Sequence, residues 1–139
     1  MADVSFENVS FIYNKGTSYE VKALDDVSLT FPDRCITGLI GHTGSGKSTM
    51  MQLINGLKKP TAGNVKIGGV DIWAEPKKIR DVRFRAGLVM QYPEYQLFAE
   101  TVEEDIAFGP RNMGLTGDAL AERIDYAVQF ANVDPMLLK

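Results

Sequence analysis

The chain has 139 residues, which suits one compact domain or part of a larger one, and its 45% hydrophobic and 24% charged residues are typical of a globular protein. Its net charge of -3 gives no basic surface for a polyanion, so we expect no nucleic-acid partner. The single cysteine, Cys35, excludes an internal disulfide and favours a reducing, intracellular setting, and no apolar run approaches the roughly 20 residues of a bilayer-spanning helix.

The N-terminal part of the sequence predicts extended structure. Apolar residues nearly alternate from Val4 to Tyr13, which predicts one or two half-buried strands, and residues 27–31 predict another. Residues 36–40 are apolar at nearly every position. That pattern predicts a strand buried on both faces, opened by a packed Cys35.

A helix and a hairpin follow. Residues 47–57 carry apolar residues at helical spacing, and Pro60 and Gly63 close the segment. A short hairpin around Gly68-Gly69 is predicted from residues 64–67 and 70–73. An exposed basic helix is predicted over residues 77–85, and a second buried strand over residues 87–90.

The C-terminal part predicts two helices. Thr101 and Glu104 have the spacing of a capping box, so a short helix should begin there and end near Phe108, before Gly109-Pro110. Thr116 is positioned to cap a final helix. Its apolar face consists of Leu120, Ile124, Val128 and Ala131.

A phosphate-binding loop lies between the predicted strand 36–40 and the helix after it. Eight consecutive residues fit the pattern G-x-x-x-x-G-K-[ST], namely Gly41, His42, Thr43, Gly44, Ser45, Gly46, Lys47 and Ser48. Glycines let backbone N–H groups turn around a phosphate, and the following helix adds the partial positive charge of its N-terminus. The strand–loop–helix context therefore predicts a nucleoside triphosphate site.

Three side chains of this segment have predicted roles. Lys47 should neutralise the β- and γ-phosphates, Ser48 should bind Mg²⁺, and Thr49 should donate to the α-phosphate. The alternative is an ordinary glycine turn with a solvated lysine. A dinucleotide fingerprint fails because Thr49 stands at the third small position, and GTP is not favoured because the sequence lacks an Asn-Lys-x-Asp base reader.

The loop, residues 87–98 and residues 101–110 together resemble the ATP-binding cassette family. More narrowly they resemble the second of the two ATPases of energy-coupling factor transporters, which import vitamins and transition-metal ions such as cobalt. The resemblance implies an α/β P-loop nucleoside triphosphate hydrolase fold with an N-terminal antiparallel β subdomain. It also implies ATP and Mg²⁺ as cofactors and a peripheral location on the cytoplasmic face of the membrane.

The resemblance assigns two further site residues. Tyr13 matches the aromatic residue that stacks on adenine, although a strand-end aromatic could simply cover the core. Gln91 matches the glutamine that binds Mg²⁺ and orients the attacking water, which makes Gln91 and Lys47 the catalytic candidates; otherwise it is a solvated loop residue. The segment from Tyr92 to Phe98 would contact a transmembrane coupling subunit, or else cap the local core.

Several family elements do not occur in these 139 residues: the Leu-Ser-Gly-Gly-Gln signature, the catalytic Glu and the switch His. The resemblance implies that residues 1–139 are the N-terminal half of a cassette domain, with the loop at 41–48, Gln91, and the start of a helical subdomain at 101–139. We expect strands 36–40 and 87–90 to lack partners. We also expect ATP binding without useful turnover, whereas the longer protein would hydrolyse ATP.

The resemblance also concerns the proteins with which this chain would assemble. The resemblance implies a second ATPase subunit, identical or different, and a substrate-binding membrane subunit that is reached indirectly and selects the cargo. A catalytically silent nucleotide-binding module remains an alternative. A small kinase would need an arginine lid, but Arg80, Arg83 and Arg85 are more simply the solvated face of a helix.

Overall fold

The computed structural model of the protein describes residues 3–138. They form two compact units, one up to Leu88 and the other from Val89 onward. The first unit contains a four-stranded sheet and two helices, and the second contains two longer helices. Among the described residues, no helix is both long and apolar enough to cross a membrane.

The sheet of the first unit is antiparallel throughout. Its strands are β1 (Val4–Tyr13), β2 (Val21–Phe31), β3 (Ala62–Ile67) and β4 (Val70–Asp71), arranged in the order β2-β1-β3-β4. β1 pairs with both β2 and β3, so the first strand of the chain is central in the sheet. The predicted antiparallel β subdomain is thereby confirmed. The predicted hairpin is also present, but its second strand ends at Asp71 instead of residue 73.

Irregular pairing between β1 and β2 explains why the apolar alternation of β1 is imperfect. Phe6 pairs with Leu29 and Val9 with Val27, so β1 contains one extra residue between these pairs. Asn8 and Asp26 have φ angles of 50° and 49°, and the Asn8 side-chain amide donates to Asp26 Oδ1 at 3.0 Å. The irregular pairing keeps the apolar side chains on the core face in one continuous strand.

Helix α1 (Lys47–Ile54) covers this face of the sheet. Its Met50 and Leu53 are buried, as the helical spacing predicts, and the helix ends three residues before the predicted limit. Helix α2 (Ile79–Arg85) follows a 3₁₀ turn, Pro76–Lys78, and is exposed on its basic side. The buried core of the unit consists of Phe6, Val9, Leu24, Met50, Leu53, Val65, Ile67 and Ile72.

Residues 36–40 and 87–90 are not strands, which corrects both predictions. Ile36 and Ile40 are fully exposed, Val89 is 80% exposed, and Cys35 is exposed instead of packed. A strand that is buried on both faces needs neighbours on each side, and no strand among residues 3–138 pairs with these segments.

The second unit packs α3 (Val102–Asn112) against α4 (Gly117–Ala131). Its core is Ala107, Ile124 and Val128. The predicted cap is present, since Thr101 Oγ1 accepts from the Glu104 amide at 3.2 Å. Thr116 is the N-cap residue of α4 but makes no such side-chain bond, and Ala131 is exposed at the helix end.

Helix α3 does not end near Phe108 as predicted. It continues through Gly109 and Pro110 to Asn112, because proline removes only its own N–H bond and the Met113 amide still reaches Gly109 O at 3.1 Å. The chain leaves the helix at Gly114, which has a φ of 87°. Packing of the preceding turn against α4 thus outweighs the local stop signal.

Candidate functional site

The glycine loop leads directly into α1, and Gly46 is the residue on which this junction depends. Gly46 is the N-cap of α1, with a φ of 88°. A Cβ atom there would lie 2.5 Å from the Ala23 carbonyl oxygen and 3.0 Å from Leu24 Cδ2. Only glycine satisfies both the left-handed backbone and the close approach of β2.

The other two glycines of the motif are constrained differently. Gly44 has a φ of 85° and open space around it, so its requirement is one of backbone conformation alone. A Cβ atom on Gly41 would meet Ser45 Oγ at 2.7 Å, and a rotation of that hydroxyl would relieve the contact. The turn between them is closed by a bond from the Ser45 amide to His42 O at 3.2 Å.

The ammonium of Lys47 lies across the loop. It donates to Gly41 O at 2.8 Å, to His42 O at 2.7 Å and to Ser45 Oγ at 3.3 Å. The lysine therefore bridges the two ends of the loop through carbonyl oxygens. His42 and Thr43 are exposed, and the His42 Nδ1 lies 2.8 Å from Thr43 O.

The N-terminus of α1 is suited to an anion. The first backbone bond into the helix runs from the Met50 amide to Gly46 O at 2.9 Å, so the amides before it have no intrahelical acceptor. No acidic residue occupies the first turn, which leaves the positive end of the helix dipole uncompensated. The Ser48 hydroxyl belongs to an exposed residue of this turn.

Tyr13 and Thr49, both predicted nucleotide contacts, lie next to each other. Tyr13 Oη is 2.9 Å from Oγ1 of Thr49, which is only 6% exposed. The Tyr13 ring meets the ring of Phe11 edge-to-face, with centroids 4.9 Å apart. The fold thus places the half-buried aromatic at the end of β1 against the first turn of α1.

Gln91 belongs to the second unit. It is exposed and lies in a bend before a 3₁₀ turn, Pro93–Gln96. Most of the aromatic and apolar side chains that follow are exposed: Tyr92, Tyr95, Leu97 and Phe98. Phe98 contacts Phe108 edge-to-face at 4.7 Å, and its amide donates to Asp105 Oδ1 at 3.4 Å.

The titratable groups of residues 3–138 form no metal-binding cluster of three or more His, Cys, Asp or Glu. A cation at the loop would therefore depend on hydroxyl, amide, phosphate and water oxygens, the donor set typical of nucleotide-bound Mg²⁺.

One feature of the site could not be predicted from sequence patterns. The ammonium of Lys58 lies above the Tyr13 ring. Lys58 belongs to no motif. Its place directly after the predicted helix and two residues before Pro60 is the only local indication that its position is fixed.

Comparison with protein families decides the fold family. The family model described as ABC transporter matches residues 24–137. The chain belongs to the ABC transporter family. The P-loop fold class predicted for it is thereby confirmed.

Relatives within this family are named energy-coupling factor transporter ATP-binding protein EcfA2. The protein of Caldanaerobacter subterraneus subsp. tengcongensis is 49% identical over 134 residues, which cover 96% of this chain and 47% of the relative. The protein of Symbiobacterium thermophilum is 52% identical, and the match covers 96% of this chain and 46% of the relative. The chain spans about half the length of the curated relatives it matches.

Solved structures show the same fold. The chain is similar to cbiO1 from Clostridium perfringens, which is described as part of the ABC transporter complex cbiONQ. The TM-score is 0.81 and the identity 31%, and the match covers 98% of this chain and 52% of that one. It is also similar to the ATP-binding cassette MJ0796, which was solved as a dimer with ADP and Pi. The TM-score is 0.79 and the identity 26%, and the match covers 97% of this chain and 60% of that one.

Proposed function

We propose that this chain binds Mg²⁺-ATP on the segment from Gly41 to Thr49. In the longer protein, this binding and the hydrolysis of ATP would energise uptake of a vitamin or a transition-metal ion by an energy-coupling factor transporter. The observation that carries the proposal is the geometry around Lys47: two glycines with left-handed backbone, a helix N-terminus without acidic residues, and a lysine that crosses the loop. The names of the EcfA2 relatives support the choice of ATP.

Each side chain has a distinct task in this proposal. Lys47 leaves the Gly41 and His42 carbonyls and neutralises the β- and γ-phosphates, where negative charge develops during transfer. The free amides of the loop and of α1 bind phosphate oxygens. Tyr13 stacks on the adenine, and Thr49 donates to the α-phosphate.

The residues present fit a magnesium ion. Ser48 offers an exposed hydroxyl one residue after Lys47, and Mg²⁺ prefers such hard oxygen donors together with phosphate and water oxygens. When bound, the ion neutralises charge on the β- and γ-phosphates. The role proposed for Gln91, as a further ligand and as the residue that orients water, is based on its position in the sequence.

The longer protein is proposed to act at the cytoplasmic face of the membrane, as a dimer with a second ATPase subunit. The dimeric form of MJ0796 and the cbiONQ complex of the cbiO1 structure support this arrangement. The exposed segment from Tyr92 to Phe98 is the proposed contact with a transmembrane coupling subunit, because exposed aromatic residues are enriched at protein interfaces.

Calorimetric titration of the 139-residue chain with Mg²⁺-ATP tests the proposal. Lys47→Ala should abolish measurable binding, whereas Lys77→Ala, which removes an equal charge from an exposed site, should leave the affinity unchanged. Excess GTP should compete weakly. Equal affinities for the wild type and Lys47→Ala would contradict the proposal.

A silent nucleotide-binding module is the second candidate, and phosphate release separates the two. The 139 residues contain no signature motif and no strand ending in Asp-Glu, so we expect this chain to bind ATP without turnover. Hydrolysis that appears when the chain is extended through those motifs supports the transporter ATPase. ATP binding with no phosphate release in that longer protein, even with its partner ATPase, supports the silent module.

A further inference from the structure

The ammonium of Lys58 lies over the two aromatic rings at the end of β1. Its Nζ is 4.8 Å from the centroid of the Tyr13 ring and 5.5 Å from that of Phe11. A cation in this position is attracted by the negative face of each ring. No carboxylate among residues 3–138 forms an ion pair with Lys58, so the rings are its main electrostatic partners.

The backbone on both sides of Lys58 is fixed. Its amide donates to Gln52 O of α1 at 3.1 Å. Three residues later, the Thr61 amide donates to Ser10 O at 2.8 Å and Thr61 Oγ1 accepts from the Ile12 amide at 3.0 Å. The half-buried lysine therefore lies between one anchor on α1 and another on β1, next to Tyr13.

Tyr13 is consequently held at two places. Its hydroxyl is 2.9 Å from Thr49 Oγ1, and the Lys58 ammonium lies over its ring. We propose that Lys58 is a positioning residue for base recognition, which holds the Tyr13 ring in the orientation that stacks on adenine. An aromatic ring already fixed in this way loses less conformational freedom when the base binds. The inference depends on the proposed ATP site and adds a residue to it.

A pair of neighbouring lysines provides the test. Lys58→Met keeps the aliphatic stem and removes the charge. Lys59→Met is the matched control, because its ammonium lies 5.8 Å from the centroid of a different ring, that of Trp73. Each variant of the 139-residue chain is titrated with Mg²⁺-ATP and with Mg²⁺-inorganic triphosphate, which has no base.

We expect Lys58→Met to weaken ATP binding about two- to fivefold, the range of a partly exposed cation–π contact. Binding of inorganic triphosphate should be unchanged, which also shows that the loop is still folded. Lys59→Met should change neither affinity. In a Tyr13→Ala background, Lys58→Met should cause no additional loss, since the ring through which it acts is gone.

Three outcomes would overturn the positioning role. One is an equal loss for ATP and inorganic triphosphate, which means that Lys58 affects phosphate binding or the loop itself and not base recognition. Another is a loss that persists without Tyr13, which means that Lys58 does not act through the Tyr13 ring. The third is unchanged ATP affinity in Lys58→Met while Lys47→Ala still abolishes binding, which leaves the proposed function standing. If Lys47→Ala has no effect either, the proposed ATP site itself is wrong.

Discussion

The phenolic oxygen of Tyr13 lies 2.9 Å from the hydroxyl oxygen of Thr49, which joins the end of the central strand to the first turn of the helix after the phosphate loop. Either hydroxyl can be the donor. When Thr49 gives its hydrogen to an α-phosphate, as we propose, Tyr13 must donate to Thr49. The two predicted ends of the nucleotide site are thus linked by one hydrogen bond.

Tyr13→Phe removes this bond and keeps the ring. We expect it to lower the free energy of unfolding by about 1–2 kcal/mol, because the buried Thr49 hydroxyl loses its partner. Tyr19→Phe is the control, since Tyr19 is 79% exposed, and should have almost no effect. Urea denaturation measures both, and equal stabilities for the two variants would argue against a stabilising Tyr13–Thr49 bond.

Gly46→Ala should be more destabilising than Gly16→Ala. Both glycines have a φ between 80° and 90°, but a Cβ atom on Gly16 has nothing within 4 Å, whereas one on Gly46 meets the Ala23 carbonyl at 2.5 Å. Gly16→Ala should cost about 1–2 kcal/mol of backbone strain. Gly46→Ala should cost several times as much and also prevent ATP binding; comparable melting temperatures for the two variants would refute the close approach.

Thr101→Ala should destabilise the second unit by about 1 kcal/mol, because the Glu104 amide loses the side-chain acceptor at the N-terminus of α3. Thr116→Ala is the matched change at the N-cap of α4, where no side-chain bond exists, and should cost less. Thermal unfolding followed by far-ultraviolet circular dichroism compares them. A larger effect at position 116 would contradict this assignment of the caps.

Ile36 and Ile40 expose apolar side chains to solvent, and exposed apolar surface favours association between copies of a chain. Replacing both with lysine should therefore reduce any self-association of the 139-residue chain. Both side chains are fully exposed, so their substitution should change the free energy of unfolding by less than about 0.5 kcal/mol. Leu39→Lys should instead destabilise the chain, because Leu39 packs against the core. Light scattering at increasing concentration measures the association, and undiminished scattering in the double variant would show that other surfaces are responsible.

Local patterns in the sequence predict much of the fold. The Thr101 cap, the buried residues Met50 and Leu53, and the hairpin around Gly68-Gly69 all follow from residues within one turn or one strand of each other. The imperfect alternation after Phe6 is a bulge whose form depends on Asp26 of the partner strand. This pairing is a relation between distant residues, and the pattern of one strand alone does not predict it.

The predictions that are wrong depend on distant contacts in the same way. The apolar residues 36–40 have the composition of a buried strand, but composition supplies no hydrogen-bonding neighbour. In α3, the stop signal at Pro110 is overridden by tertiary packing around Ala107. Lys58 is part of no motif, and its place above Tyr13 results from anchors on α1 and β1.

Backbone amide chemical shifts during a Mg²⁺-ATP titration of the ¹⁵N-labelled chain test the central claim most directly. We expect the largest shifts at Gly44, Gly46, Lys47 and Thr49 and smaller ones at Tyr13, and Lys47→Ala should remove them. Shifts concentrated elsewhere, for example along the groove between β4 and α2 that includes Asp71 and Arg85, would contradict the assignment of the phosphate loop as the nucleotide site.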